Sequence, residues 1–324
     1  MPRLTYVEGV IQGLAQTMRE DPDVFLMGQD IGPFGGTMQS TKGLWEEFGY
    51  DRVMDTPISE GGCCGIAVGA AMMGLKPVFE ISFGEFLTAV MNEVVTQAPN
   101  AYYYTRGNTN VPVVFRTKVG DGPYRGHPQC YESWFIGIPG LKVVMPAFPD
   151  DCKGLMVAAI REPNPVLFVE DMYLYHAVRG EVPEELYETP IGKAKVVREG
   201  KDATVVATGW YVHKSIAAAR QLAQEGIEVE IVDPRSLAPL DIETILSSVR
   251  KTGHLVTAHE SWKIGGVGAE IAAEVAEQGF QYLKAPIARV GAPPTPIPIP
   301  KPLRDVYLPD VKDIVDAVKK VVSW

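Results

Sequence analysis

Cysteine is scarce in this chain of 324 residues: Cys63, Cys64, Cys130 and Cys152 are the full set. Two are adjacent, and neighbours in sequence are poorly placed to pair with each other. None shows the paired spacing of a zinc or redox motif, so a disulfide scaffold and a cysteine-held metal are excluded. Long apolar runs are missing too, and no stretch would span a bilayer as a helix. Basic residues are outnumbered, 30 against 40 acidic, for a formal net charge of −10. That balance disfavours a nucleic acid or an anionic membrane surface as partner. The opening residues Met1-Pro2-Arg3-Leu4-Thr5 have no signal-peptide apolar core. With reduced thiols, this predicts a cytoplasmic location.

What is present is an alternation of short apolar runs with helical periodicity. Val7, Val10, Ile11, Leu14 and Met18 keep a spacing near 3.6, which predicts a helix from Tyr6 to Glu20. Buried strands are expected at 24–28, 77–81, 111–116, 141–146 and 166–169, with helices near 40–49, 86–97 and 149–161 between them. Pro99 is expected to end the 86–97 helix. Between His176 and Asp202 the chain turns charged and turn-rich, with Pro183, Pro190 and Gly200. A second series follows, with strands at 203–208, 229–232, 255–258 and 287–290 and helices at 215–225, 241–251, 268–278 and 310–322. Strands alternating with helices predict α/β architecture, two domains each built on a parallel sheet covered on both faces. The expected organisation is a first domain at 1–180, a linker at 181–201 and a second domain at 202–324.

Two places could carry chemistry. The run Asp55-Thr56-Pro57-Ile58-Ser59-Glu60-Gly61-Gly62 puts a carboxylate, Glu60, at the start of a small-residue helix. Glycines at 61, 65 and 69 would form a bare stripe open to another backbone or a flat ring. The helix dipole would favour the anion there. His127 lies in a polar loop after a strand, where α/β folds bind ligands, and histidine moves protons at neutral pH. On local pattern alone each has an ordinary structural reading, a helix-capping acid and a solvated loop histidine. No motif here grips a phosphate. There is no P-loop lysine, and Gly265-Gly266-Val267-Gly268-Ala269-Glu270 lacks the final glycine of a dinucleotide fingerprint. Gly120-Asp121-Gly122 looks like the magnesium motif of thiamine-diphosphate enzymes. The asparagine that completes that motif is missing from the window Met145-Pro146-Ala147-Phe148-Pro149-Asp150, so it is a turn.

The whole chain resembles the beta subunits of the first, decarboxylating component of 2-oxo acid and acetoin dehydrogenase complexes, in the transketolase-like superfamily. The segments carrying the resemblance are 28–32 with Gly35-Gly36, 51–60, 138–146, 151–155, 232–241 and 266–272. The wording of 139–146 is nearest to acetoin-type members. The resemblance implies a pyrimidine-binding domain followed by a transketolase C-terminal-like domain. It implies thiamine diphosphate shared with an alpha subunit that holds magnesium and the diphosphate, in an α2β2 heterotetramer. It further implies a lipoyl acyltransferase core as partner, and a 2-oxo acid or ketone as substrate. By the same resemblance Glu60 bonds the aminopyrimidine ring and Phe86 packs on it. Ile58 and Ser82 line the cofactor and substrate pocket, and His127 handles substrate protons. Some members hold potassium; the matching positions are Val113, Ala159, Glu162 and Asn164.

The chain departs from the family pattern beside these residues. Pro128 and Cys130 replace serines, Glu85 stands where Asp or Asn is usual, Gln97-Ala98-Pro99-Asn100 replaces a helical stretch, and Gly61-Gly62-Cys63-Cys64 is unusual after Glu60. The expectation is therefore a thiamine-diphosphate-dependent oxidoreductase subunit that cleaves the bond next to a ketone carbonyl and passes the acyl unit to lipoamide. Two alternatives stand beside it: a carboligase or ketone-cleaving heterotetramer outside any dehydrogenase complex, and a non-catalytic structural or regulatory subunit.

Overall fold

A computed structural model describes residues 1–121 and 126–324. Two sheets organise it. The first has seven strands in the order Ser236–Ala238, Lys142–Val144, Val166–Asp171, Val114–Val119, Lys76–Ile81, Val24–Gly28 and Val53–Asp55. Every pairing in it is parallel except the outermost, Ser236–Ala238 against Lys142–Val144. The second has five strands in the order Ala288–Ala292, Leu255–Trp262, Ala203–Ala207, Val229–Asp233 and Lys195–Arg198, the last antiparallel. A small antiparallel pair, Arg3–Thr5 with Arg179–Glu181, ties the start of the chain to the end of the first series. The predicted α/β class is therefore observed. Central strands such as Val114–Val119 and Val166–Asp171 are buried along their whole length, as parallel strands covered by helices must be.

Local chemistry explains the elements. Helix Tyr6–Glu20 begins on a capping box: Thr5 N–H donates to Glu8 Oε2 at 2.7 Å, and Glu8 N–H donates to Thr5 Oγ1 at 3.3 Å. That helix lies against helix Pro149–Arg161. Gly9 permits the approach, since a Cβ there would sit 2.4 Å from the Pro149 carbonyl oxygen.

Several expectations are corrected. The helix expected at 40–49 is reduced to Leu44–Phe48, bounded by Gly43 and Gly49 with φ of 84° and 72°. The stretch expected as one helix at 86–97 is a 3-10 segment, Gly84–Val90, then a π segment, Asn92–Gln97. An α-helix, Ala98–Tyr104, follows. Pro99 does not stop it. It sits in the first turn of that last segment, where its missing N–H costs nothing. The segment expected as linker contains Lys195–Arg198, a strand of the second sheet. The second half of the chain also supplies an edge strand, Ser236–Ala238, to the first sheet.

Charged residues inside the first sheet form a closed network. Arg116 Nη1 lies 2.8 Å from Glu80 Oε2, and its Nε and Nη2 face Glu170. Lys118 Nζ reaches Glu80 Oε1 at 2.6 Å, Ser40 Oγ donates to the same carboxylate, and Tyr175 Oη donates to Glu170 at 2.6 Å. Two carboxylates and two cations balance, and most lone pairs are bonded, which is the condition for burying charge. Among the described residues no helix is long and apolar enough to cross a membrane.

Asp233 offers a pH-dependent contrast. It is fully buried, its Oδ1 accepts Arg235 N–H at 2.9 Å, and its Oδ2 has no partner. Burial first, then the nearby Asp151 carboxylate, pushes its pKa to about 8. Because the folded value lies above the unfolded one, the native state holds this proton more tightly. Its stabilising effect is complete below the unfolded pKa of about 3.9 and is lost as pH rises towards 8. Asp233→Asn mimics the protonated acid. Its melting temperature is expected to gain on wild type between pH 5 and pH 8; parallel curves would show that Asp233 does not titrate in this range.

Candidate active site

The parallel strands of the first sheet end in register. Gly28 pairs with Asp55 on one side and Glu80 on the other, and Ile81 pairs with Thr117. The residues just past those ends therefore gather on one edge, where α/β sheets bind ligands. Gln29, Thr56, Pro57, Ser59, Glu60 and Ser82 are among those lining a cleft there. The Asp55 carboxylate shapes its rim by accepting Gly32 N–H at 2.7 Å. A Cβ on Gly32 would lie 2.7 Å from Asp55 Oδ2, so this glycine lets the loop after Gly28 lie flat against the strand end.

Glu60 opens helix Glu60–Met72, directly after Ser59, whose side chain makes no capping bond. The carboxylate is half-buried, faces the cleft, and has no hydrogen-bond or ion-pair partner among the described residues. An anion at a helix N-terminus is stabilised by the dipole, so it can stay available to a ligand. The glycine stripe proves divided. A Cβ on Gly61 would come within 3.3 Å of the Ala89 carbonyl oxygen, while Gly65 and Gly69 face open space. Gly61 is thus where helix Glu60–Met72 closes on the segment Gly84–Val90.

That segment carries the second group. Phe86 and His127 have ring centroids 4.7 Å apart, Phe83 and His127 5.5 Å, and Phe83 meets Phe86 edge-on at 6.0 Å. Glu85 clips the loop: its Oε2 lies 2.9 Å from His127 Nδ1, and its Oε1 accepts Gln129 N–H at 3.3 Å. A carboxylate only accepts, so Nδ1 carries the proton and Nε2 is the basic nitrogen. Glu85, marked in the sequence only as a departure, thus holds the imidazole.

Of the residues singled out in the sequence, Glu60 and Ser82 share the cleft, and Phe86 and His127 share the ring cluster. Ile58 is not gathered with them; it is 76 % exposed on the approach to Glu60. The positions matched to potassium lie elsewhere. Glu162 Oε2 is 2.6 Å from Lys142 Nζ, the Val113 carbonyl already accepts Val166 N–H at 3.0 Å, and Asn164 Oδ1 is buried without a partner. The part of the Gly120-Asp121-Gly122 turn that includes Gly122 lies outside the described residues.

The second sheet meets the loop bearing His127, a relation with no local sequence signal. Glu260, in strand Leu255–Trp262, is buried and accepts Asp121 N–H, and Arg304 forms an ion pair with the Asp121 carboxylate. Burial, then the Asp171 carboxylate, raises the Glu260 pKa well above the usual carboxylate range. Burial likewise pushes Asp171 to about 7 and raises Glu132. His259, buried beside them, is pushed down to about 4 by burial.

Comparison with known proteins bears on this geometry. Residues 3–176 match the family model "Transketolase, pyrimidine binding domain" and residues 192–314 match "Transketolase, C-terminal domain". The chain is 43 % identical over 324 residues to the pyruvate dehydrogenase E1 component subunit beta of Rhizobium meliloti (strain 1021), covering 99 % of this chain and 70 % of that protein. It is 40 % identical over 326 residues to the protein of the same name from Bacillus subtilis (strain 168), covering both in full. A solved structure, "Split gene transketolase, inactive beta4 tetramer", superposes with a TM-score of 0.81 at 23 % identity. It covers 99 % of this chain and 98 % of the other, a likeness of fold. With relatives this similar along nearly the whole of this chain, and with both transketolase domains in order, the chain belongs to the transketolase-like family of E1 beta subunits and is a thiamine-diphosphate-dependent oxidoreductase subunit.

Proposed function

We propose that this chain is the beta subunit of a 2-oxo acid dehydrogenase whose Glu60 cleft receives the aminopyrimidine of thiamine diphosphate. The observation that carries this is the Glu60 carboxylate, unpartnered among the described residues and facing a cleft it shares with Ser82. The donor set fits the group: a carboxylate for a ring nitrogen, a hydroxyl beside it, and Phe86 as an aromatic wall. When bound, thiamine diphosphate supplies a nucleophilic carbon that adds to the substrate carbonyl and takes up the electrons of the broken bond.

In this reading Glu60 holds a proton at the pyrimidine ring nitrogen. Phe86, pressed from behind by Phe83, gives the ring a flat surface. His127, held through Nδ1 by Glu85, uses Nε2 to give or take a proton at the substrate oxygen. The acyl unit then goes to lipoamide on an acyltransferase core. An alpha subunit completes an α2β2 heterotetramer and grips magnesium and the diphosphate, for which this sequence has no motif. We further infer that the first sheet is the pyrimidine-binding part and the second the transketolase C-terminal-like part, and that the protein works in the cytoplasm. Potassium at Val113, Ala159, Glu162 and Asn164 is favoured by the unsatisfied Asn164 Oδ1 and opposed by the Lys142 ammonium on Glu162. No step depends on it.

Calorimetry tests the division of labour. The chain alone is expected to bind thiamine diphosphate weakly or not at all, and the assembly with its alpha subunit to bind it tightly. Micromolar binding by the isolated chain would sink this reading. Turnover of pyruvate, branched 2-oxo acids and acetoin by the assembly, with an artificial electron acceptor, then separates the substrate classes. Discharge to a free carbonyl compound instead of lipoamide would favour a carboligase.

A further inference from the structure

The loop that carries His127 leaves strand Val114–Val119 at Gly120 and ends at the turn Glu132–Trp134. Two residues of one strand in the other sheet, Glu260 and Trp262, meet its two ends. At the entry, Asp121 N–H donates to Glu260 Oε1, and the Asp121 carboxylate pairs with Arg304, itself buried on helix Lys301–Tyr307. Gly120, at φ +86°, brings its backbone close: a Cβ there would sit 3.3 Å from both Glu260 oxygens. At the exit, the Tyr131 ring lies 5.8 Å from that of Trp262 and 4.4 Å from that of Trp134. Close to the exit, the free thiol of Cys130 is buried, with its Sγ 3.9 Å from the Pro128 carbonyl oxygen.

Side chains two apart on a strand point to one face, so Glu260 and Trp262 can serve one loop. Here the register shifts between Ala258 and Trp262. An irregularity of this kind re-aims side chains, and such features recur beside active sites.

We propose that Glu260 and Arg304 are positioning residues: from the second sheet they set the His127 loop at the height the Glu60 cleft requires. A carboxylate and an arginine buried where the sheets meet are a costly way to fill space, and the bonds of both end on one residue, Asp121. Glu260 acts mainly as an acceptor of an N–H. With its pKa raised by burial, the neutral side chain suffices, and glutamine can replace it.

This inference rests on the catalytic reading of His127, and the test keeps the two apart. It uses the assembled enzyme with its alpha subunit, and alkylation of Cys130 by N-ethylmaleimide, located by mass spectrometry, reports the loop's position independently of activity. Glu260→Ala is expected to lower kcat by about 10²-fold, the scale of a small misplacement of a catalytic group, with little change in KM for the 2-oxo acid. Cys130, inert while buried, should react about tenfold faster or more once its loop is released. Glu260→Gln should restore both, and Arg304→Gln, which keeps a polar side chain, should reproduce the effect of Glu260→Ala in part. Wild-type Cys130 protection in folded Glu260→Ala and Arg304→Gln would overturn the proposal. So would faster alkylation in the Glu260→Ala variant that glutamine does not reverse. If Cys130 becomes reactive while both Glu260→Ala and His127→Ala keep full turnover, the anchoring stands and His127 leaves the mechanism.

Discussion

Glu60→Gln in the assembled enzyme is expected to abolish nearly all turnover, by about 10⁴-fold, the upper range for a lost acid–base group. The substitution keeps the shape of the side chain and removes its charge. Nothing in the fold leans on that charge, because Glu60 is half-buried at a helix start and bonded to no other side chain among the described residues. Its loss should therefore leave the melting temperature and the elution volume of the heterotetramer unchanged. A carboxylate without a structural partner, kept at a cleft wall, has its role in what enters the cleft. Size-exclusion chromatography and steady-state rates on the same sample check this. Near-normal turnover would remove Glu60 from the chemistry, and loss of assembly would make it a structural residue after all.

His127→Ala is expected to cost about 10²–10⁴-fold in turnover. Cofactor affinity should hold, since Glu60 and Ser82 line the cleft without it. The variant also takes the imidazole from Glu85, whose carboxylate keeps its bond from Gln129 N–H. Partial recovery on adding imidazole would mark the loss as chemical rather than conformational. A drop in cofactor affinity as large as the drop in rate would show instead that His127 shapes the pocket.

Much of the scaffold could be read directly. Runs such as Val114-Phe115 and Ala203-Thr204-Val205-Val206-Ala207 have no other home than a buried parallel strand, and Thr5 and Glu8 frame the first helix in the expected way. The position of Glu60 at a helix start followed from the small residues after it. Where the reading failed, the cause was tertiary. Pro99 looks like a helix terminator until the preceding π segment places it in a first turn. Glu80, Arg116, Lys118 and Glu170 draw no reading of their own, because one charge at a time cannot reveal the partner that neutralises it across the sheet. The pairing of Glu85 with His127 spans 42 residues, and that of Asp121 with Arg304 spans 183; neither leaves a trace in local spacing. Ile58 was grouped with the cleft by resemblance, yet its side chain stands in solvent.

The strand Ser236–Ala238 has a consequence for how the molecule comes into being. As the chain emerges from the ribosome, six strands of the first sheet are complete by Asp171, but the outer flank of Lys142–Val144 stays bare until Ala238 arrives. Through that interval its unpaired N–H and C=O groups are a template for any passing extended segment. The opposite flank, Val53–Asp55, is three residues long and ends on an exposed aspartate, which discourages such docking. A polypeptide halted near residue 180 would thus keep one sticky side and one guarded side, and nascent copies would tend to join through Lys142–Val144 alone.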